Sequence, residues 1–431
     1  MTSRAYEASR RGWTVAIVLG LVHLAAFTDR YLIALAAPAL KADLRLSDFQ
    51  IGLLQGSAFV LVFAVAALAF GSVADRSRRT LVIAVSLACW SAANAAFAFC
   101  STFGEMFSAR VALGLGQAAL SPAALSLIAA TAPHGRIGQV VSIYTSGSTL
   151  GRSAAFLGGG ALMSVLASAP LAFAGDPQAW RALFIVSVIP NFALIVAVLA
   201  LREPARAAGS AQNPSHAWRG WLARHWRRYA VHIAAAGAAT MAIQAVTAWT
   251  VTALVRRHGY DIARAGAVFG LVVLAAGPAG HLTGGALLDA FRRSAGSRAP
   301  YMVLALSLTS AAPAACLFCL GEGPTAIAGL LALTYALGLA TPAGFSGVQT
   351  MTPRAMRGRA SALFLCCNTL IGFGLGPPLV GLLTDQLFGD AAVHLSLLSA
   401  IVGGCAIGVA VCAARLASLQ AHMKNHVRKT A

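Results

Sequence analysis

The chain is 431 residues long, 58% hydrophobic and only 10% charged, with a mean hydropathy of +0.75. A water-soluble domain carries roughly 25% charged residues, so this composition excludes a soluble globular protein and makes lipid the solvent. A charge of +19 from 32 Lys and Arg against 13 Asp and Glu would suggest nucleic acid in a soluble protein, but here the basic residues lie in short stretches between long apolar segments, with no aromatic stacking platform among them.

A membrane-spanning helix needs about 20 apolar residues. The first candidate lies near 13–39. The SRRGW stretch before it resembles a twin-arginine signal, but the apolar run exceeds the roughly 7–15 residues of a signal core and no small-residue cleavage site follows. Its second half reads LVHLAAFTDRYLIALAAPAL (21–40) and sets Asp29 and Arg30 side by side in the apolar run, about 24 Å along the helix at 1.5 Å per residue.

Further spans follow near 50–73, 79–100, 103–131, 138–163 and 180–201. The stretch 202–228, REPARAAGSAQNPSHAWRGWLARHWRR, reads as a linker. After it come spans near 229–255, 262–288, 300–320, 324–351, 358–384 and 391–415. These twelve segments are too long, and alternate too little, for barrel strands. The expected fold is all-α: two six-helix bundles, 1–201 and 229–431, joined by the linker 202–228. The bundles echo each other. GSVADRSRR (71–79) matches GALLDAFRR (285–293) through Gly71, Asp75 and Gly285, Asp289; TAPHGR (131–136) is paralleled by TPRAMRGR (352–359). Such internal duplication is the pattern of a transporter with two rocking halves.

The basic residues set the orientation. With the first end inside, 23 of the 32 fall in inner loops and tails, 6 outside, and 3 within spans. This places both termini in the cytoplasm, and the Ala- and Arg-rich composition points to a bacterial inner membrane.

GSVADRSRR resembles the cytoplasmic signature of the major facilitator superfamily, G-x-x-x-D-R-x-G-R-R. The resemblance implies a latch of Gly71, Asp75, Arg76 and Arg79, echoed by Gly285 and Asp289. Arg78 stands where the family has Gly, and Thr80 where it has Arg. SARVALGLGQAA (108–119) is similar to the family's fourth-helix motif, and the glycines of 147–160 and 372–378 resemble its gating helices. FTDR, LSDFQIGLL, GSVADR and ARVALGLGQAALSPAALSLIA together look most like spinster-type proteins and their bacterial relatives over the first five spans. Some members of that family carry lysolipids or other amphipathic molecules. Relatives typically have Glu at the place of Gln117; Gln keeps the size and hydrogen bonding but does not titrate.

A buried ionisable residue costs several kcal/mol unless it is paired or meets water. Asp29 and Arg30 are therefore expected to face a central cavity. Neighbours on a helix point about 100° apart, so each needs its own partner, with Arg110 or Arg152 the candidates for Asp29. Asp29 is the one carboxylate placed deep in a span and is the proton-carrier candidate. Arg30, Arg110 and Arg152 leave the interior net positive, which suits an anionic solute, since guanidinium offers five donors and stays charged. Gln117, Ser121, Gln244, Tyr335 and Asn368 are the remaining candidates for solute contact. His23 and His281 read as packing residues.

The sequence thus describes a secondary transporter, expected to be monomeric, that moves a small anionic or amphipathic solute by alternating access, with protons as a possible co-substrate. A proton-independent uniporter or a multidrug or metabolite efflux pump is the alternative. A membrane sensor would want a signalling domain, and a membrane enzyme would want an acid–base constellation at the surface; neither is legible. No G-x-x-x-x-G-K-[ST] motif occurs, and no cofactor or metal is expected: Cys316 and Cys319 lack a second ligand pair.

Overall fold

The computed structural model describes residues 3–133, 136–168, 179–204 and 215–430, and these contain no strand. The first span is α1 (Ser3–Leu44). α2 (Asp48–Gln55) and α3 (Ser57–Arg76) form the second, and α4 (Arg79–Phe97) the third. α5 (Phe103–Ala118) and α6 (Leu120–Thr131) form the fourth, α7 (Ile137–Ser168) the fifth, and α8 (Ala179–Ser187) with α9 (Ile189–Leu199) the sixth. Then follow α10 (Ser215–His258), α11 (Ile262–Ala295), α12 (Ala299–Leu320), α13 (Gly323–Gly338) with α14 (Ala340–Thr350), α15 (Arg357–Leu383) and α16 (Val393–Thr430). Among the described residues eleven stretches are long and apolar enough to cross a membrane, and one of them, Ile262–Leu320, holds both α11 and α12. The chain is a multi-pass membrane protein with a twelve-helix topology.

Helix ends follow local chemistry. Ser47 and Gln50 form a capping box that starts α2, and Thr102 and Glu105 form another that starts α5, each satisfying backbone N–H groups that a helix start leaves open. α10 ends where Gly259 adopts φ 66°. There Gly259 and Tyr260 donate back to Val255 O and Leu254 O, a Gly-terminated C-cap.

One sequence expectation needs correction. The stretch 202–228 is not wholly a linker: from Ser215 onward it is the start of α10. Trp221 Nε1 donates to the Tyr229 hydroxyl at 3.2 Å, and Tyr229 shares a 2.7 Å bond with Thr352. These contacts anchor the basic turns to the body of the protein.

The contacts group into two units, one of 1–208 with 250–274, the other of 209–249 with 275–431. In the first, α7 packs tightly on α1. A Cβ at Gly147 or Gly151 would run into Gly20 O or Leu24 O, and Thr28 Oγ1 donates to Gly151 O at 3.1 Å. In the second, α15 packs in the same manner on α10, where a Cβ at Gly372 or Gly376 would meet Thr240 or Met241 O. The glycines of spans five and eleven thus allow the backbone approach that membrane helices use in place of a hydrophobic drive.

The duplication runs deeper than the loops. The fourth and tenth spans both break shortly past their middle, at Ala119 and Leu339. Ser86 Oγ donates to Gly116 O in the first unit, and Ser307 Oγ donates to Ala336 O at 2.6 Å in the second. Arg79 Nε donates to Ser126 Oγ at 3.0 Å, and Arg292 Nη2 to Ser346 Oγ. Ser126 and Ser346 occupy the same place in SPAALS (121–126) and TPAGFS (341–346).

Candidate functional site

Asp29 and Arg30 leave α1 in different directions and take different partners. Asp29 is 1% exposed. Its carboxylate accepts from Trp90 Nε1 (3.1 Å), Asn94 Nδ2 (3.2 Å) and Asn191 Nδ2 (2.9 Å). The two asparagines also donate to Ser187 Oγ and Ser91 Oγ. Three donors from α4 and α9 suit an acceptor-only carboxylate. This corrects the expectation that Asp29 meets an arginine and opens on a cavity. Arg110 is held elsewhere, with Nε on Leu54 O (3.1 Å) and Nη2 on Arg30 O (3.0 Å). It tethers the backbone of α1 and α2 from a site 1% exposed.

Arg30 turns to α5. Its Nε and Nη2 donate to Gln117 Oε1 at 3.2 and 2.8 Å, and Gln117 Nε2 donates to Ala26 O at 2.9 Å. The guanidinium lies 4.5 Å from the Phe27 ring centroid, 4.2 Å from Phe59 and 5.2 Å from Phe63. Aromatic faces attract a cation, and a planar guanidinium stacks on them better than an ammonium does. Arg152, half-buried, lies 5.2 Å from the Tyr31 ring, and its Nε is buried without a hydrogen-bond partner. Nearby, His23 stacks on Tyr144 at 4.3 Å and bonds Tyr144 O at 2.9 Å, while the Tyr144 hydroxyl donates to Ser121 at 3.3 Å. Arg30, Gln117, Ser121 and Arg152 therefore belong to one polar and aromatic region of the first unit, with Asp29 behind it. His23 is buried against Tyr144 on α7.

The second unit is milder. Asn368 Nδ2 donates to Thr240 Oγ1 at 2.8 Å, and its Oδ1 is buried without a partner. Both residues line a cavity of about 40 Å³ with Ala236, Gly344 and Phe364, room for a water molecule. Gln244 is 4% exposed on α10. Tyr335, 37% exposed on α13, is not among the residues lining that cavity.

Of the latch, Gly71 and the side chains of Asp75 and Arg76 lie outside what is described. Arg79 is placed, and its partner is one the sequence did not suggest. Glu203 accepts from the backbone N–H of Arg79 (3.1 Å) and Thr80 (3.4 Å), and its Oε1 lies 3.5 Å from Arg79 Nη1. A carboxylate at the start of α4 is favoured by the helix dipole. In the second half, the packing glycine is Gly284, whose Cβ would meet Leu339, whereas Gly285 faces open space. Asp289 is exposed. Also unforeseen is a triad at the opposite end of the first unit. Asp48, 0% exposed, sits 3.0 Å from Lys41 Nζ and accepts both Nη atoms of Arg256 at 2.7 and 2.8 Å.

A family model described as Major Facilitator Superfamily matches residues 19–377. The chain belongs to the major facilitator superfamily. It is 28% identical over 386 residues, 88% of its length and 86% of the relative's, to an MFS-type efflux pump of Mycolicibacterium smegmatis. It is 24% identical to protein spinster homolog 1 of Xenopus tropicalis, over 88% of this chain and 74% of that one. In fold it resembles the crystal structure of a bacterial homolog of the human lysosomal transporter spinster, with a TM-score of 0.76 and 21% identity over 94% of each chain. The chain is a membrane transporter, not an enzyme.

Proposed function

We propose that this chain is a secondary transporter that exports an amphipathic organic anion by alternating access between two six-helix halves, 1–201 and 229–431. The observation that carries the reading is the pairing of a half-buried arginine, Arg152, with an aromatic wall. Its Nε has no internal acceptor, it lies over Tyr31, and Arg30 stands in the same region among Phe27, Phe59 and Phe63. A cation with an unmatched donor suits a carboxylate or phosphate, and the rings suit an apolar body. The likeness to an efflux pump supports the outward direction.

Arg30 donates to the uncharged Gln117, which does not titrate. Protonation at that position cannot drive the cycle, so coupling either runs through Asp29 or is absent. Asp29 lies in a cage of neutral donors between α1, α4 and α9, which favours a positioning role and a proton-independent cycle. The triad of Lys41, Asp48 and Arg256 would be a clamp that opens in one stage of that cycle, and Arg79 with Glu203 a brace at the other end. The excess of basic residues in the inner loops supports a cytoplasmic position for that braced end and for both termini.

The test is untargeted metabolite analysis of cells and medium with the intact protein, Arg152→Gln and Asp29→Asn. An anion enriched in the medium by the intact protein and lost with Arg152→Gln supports the reading. Enrichment that survives Arg152→Gln rejects the anion site. Net solute flux in vesicles that moves no protons and does not respond to an imposed pH gradient would favour the uniporter over the proton-coupled reading.

A further inference from the structure

Two cavities on the first unit meet at one residue. The first, about 770 Å³, lies at the arginine-rich end and is lined by Arg11, Arg78, Arg202 and Glu203 with Ser77 and Leu199–Pro204. The second, about 780 Å³, is a groove on α3, α4 and α5, walled by Phe70, Leu81, Val85, Ala92, Ala96 and Ala112 among others. Ser77 lines both.

The chemistry of the two differs sharply. In the polar cavity three arginines oppose one carboxylate, and that carboxylate is already engaged: Glu203 caps α4 through the N–H groups of Arg79 and Thr80. Arg11, Arg78 and Arg202 are exposed, and among the described residues none sits in an ion pair. The cavity is therefore net positive. The groove is apolar. Its Ser86 spends its one donor on Gly116 O. Leu81, Val85 and Leu115 are 49%, 53% and 45% exposed along it. From Leu81 to Ala96 it runs about 22 Å at 1.5 Å per residue, longer than the roughly 15 Å of one leaflet's hydrocarbon.

A basic cavity alone would take any anion, and an apolar groove alone any lipid tail. Joined at Ser77, they fit one molecule with an anionic head and an acyl chain. We propose that an anionic phospholipid of the surrounding leaflet binds here, its phosphate among Arg11, Arg78 and Arg202 and one acyl chain along α4 between Ala92, Ala96 and Ala112. Basic pockets beside membrane helices recognise such headgroups. Arg78, where the superfamily signature has glycine, supplies one of the three charges. The site lies apart from Arg30 and Arg152 and stands whether or not the transport reading does.

Native mass spectrometry of the delipidated full-length protein tests it, with phosphatidylglycerol, phosphatidylcholine and glycerol phosphate as probes. The expected result is one phosphatidylglycerol retained in preference to phosphatidylcholine. Arg78→Gln with Arg202→Gln should erase that preference, by on the order of five-fold per arginine. Ala92→Leu with Ala96→Leu should fill the groove and weaken both phospholipids alike. Equal retention of the two phospholipids by the parent overturns the proposal, as does unchanged preference in the arginine variant. Competition by glycerol phosphate as strong as by phosphatidylglycerol would make this a soluble-anion site and also overturn it. All four residues are exposed; should a double variant unfold, Arg202→Gln and Ala96→Leu alone make the same comparison.

Discussion

The two units share their joinery and differ in their interior. Each breaks its fourth helix at the same place, pins it with a buried serine, and braces it with an arginine on a second serine. Yet the first unit buries Asp29, Arg30 and Arg110 within it, while the second offers Thr240, Asn368 and Gln244. The scaffold is duplicated; the charge is not. Packing constraints act equally on both copies of a repeat, so they preserve the same pins. A buried charge is costly in lipid, so it persists only where a function or a full set of partners sustains it.

The largest effect expected from this asymmetry is at Asp29. Asp29→Leu strips the acceptor from Trp90, Asn94 and Asn191 at once. Each buried donor left unsatisfied costs about 1–3 kcal/mol, so a loss of roughly 3 kcal/mol or more is expected, seen as a fall of many degrees in the thermal midpoint in detergent. Thr247→Val in the second unit removes only a bond local to α10 and should cost about 1 kcal/mol or less. Equal falls for the two would mean that the charged cage is no more critical than ordinary packing.

Arg152→Gln should separate function from stability. Its Nε has no internal partner to lose, so the thermal midpoint should stay put while the apparent affinity for an anionic solute drops about tenfold, the value of one charge-assisted hydrogen bond. A solute flux unchanged by the substitution would remove the site's central cation from the proposed function.

The serine pins come next. Ser86→Ala and Ser307→Ala each delete one buried hydroxyl-to-carbonyl bond, with an expected cost of about 1 kcal/mol. Midpoint shifts of similar size in the two variants would confirm that the joinery is shared; a shift in one alone would show that the units have diverged in scaffold as well.

The twelve spans were legible because their signal is additive: twenty apolar residues outweigh any local irregularity, and only boundaries suffer, as at Ser215, where Arg-rich turns continue α10. The close packing of Gly151 and Gly376 is what the resemblance of 147–160 and 372–378 to gating helices implies. The site was legible by residue and not by pairing. That Asp29 and Arg30 must part company follows from helix geometry, but which helix faces each depends on tertiary register. Trp90, Asn94 and Asn191 are unremarkable polar residues in apolar runs, and nothing local marks them as one cage. Glu203 was hidden for a different reason: it caps a helix start 124 positions away. The Ser126 and Ser346 correspondence was within reach, since SPAALS and TPAGFS lie 220 residues apart at matching breaks.

The smallest expected effect is the most discriminating. Asn368→Ala removes a 2.8 Å bond to Thr240 but also removes an amide oxygen that is buried and unpartnered. The bond contributes about 1 kcal/mol and the unmet acceptor costs a similar amount, so the thermal midpoint should barely move. A substitution silent in stability becomes a clean probe of contact with the solute. If transport weakens while the midpoint holds, the second unit supplies a polar contact to the solute, and the asymmetry is a division of recognition. If neither changes, recognition is confined to the residues around Arg30 and Arg152, and the second unit contributes the joinery alone.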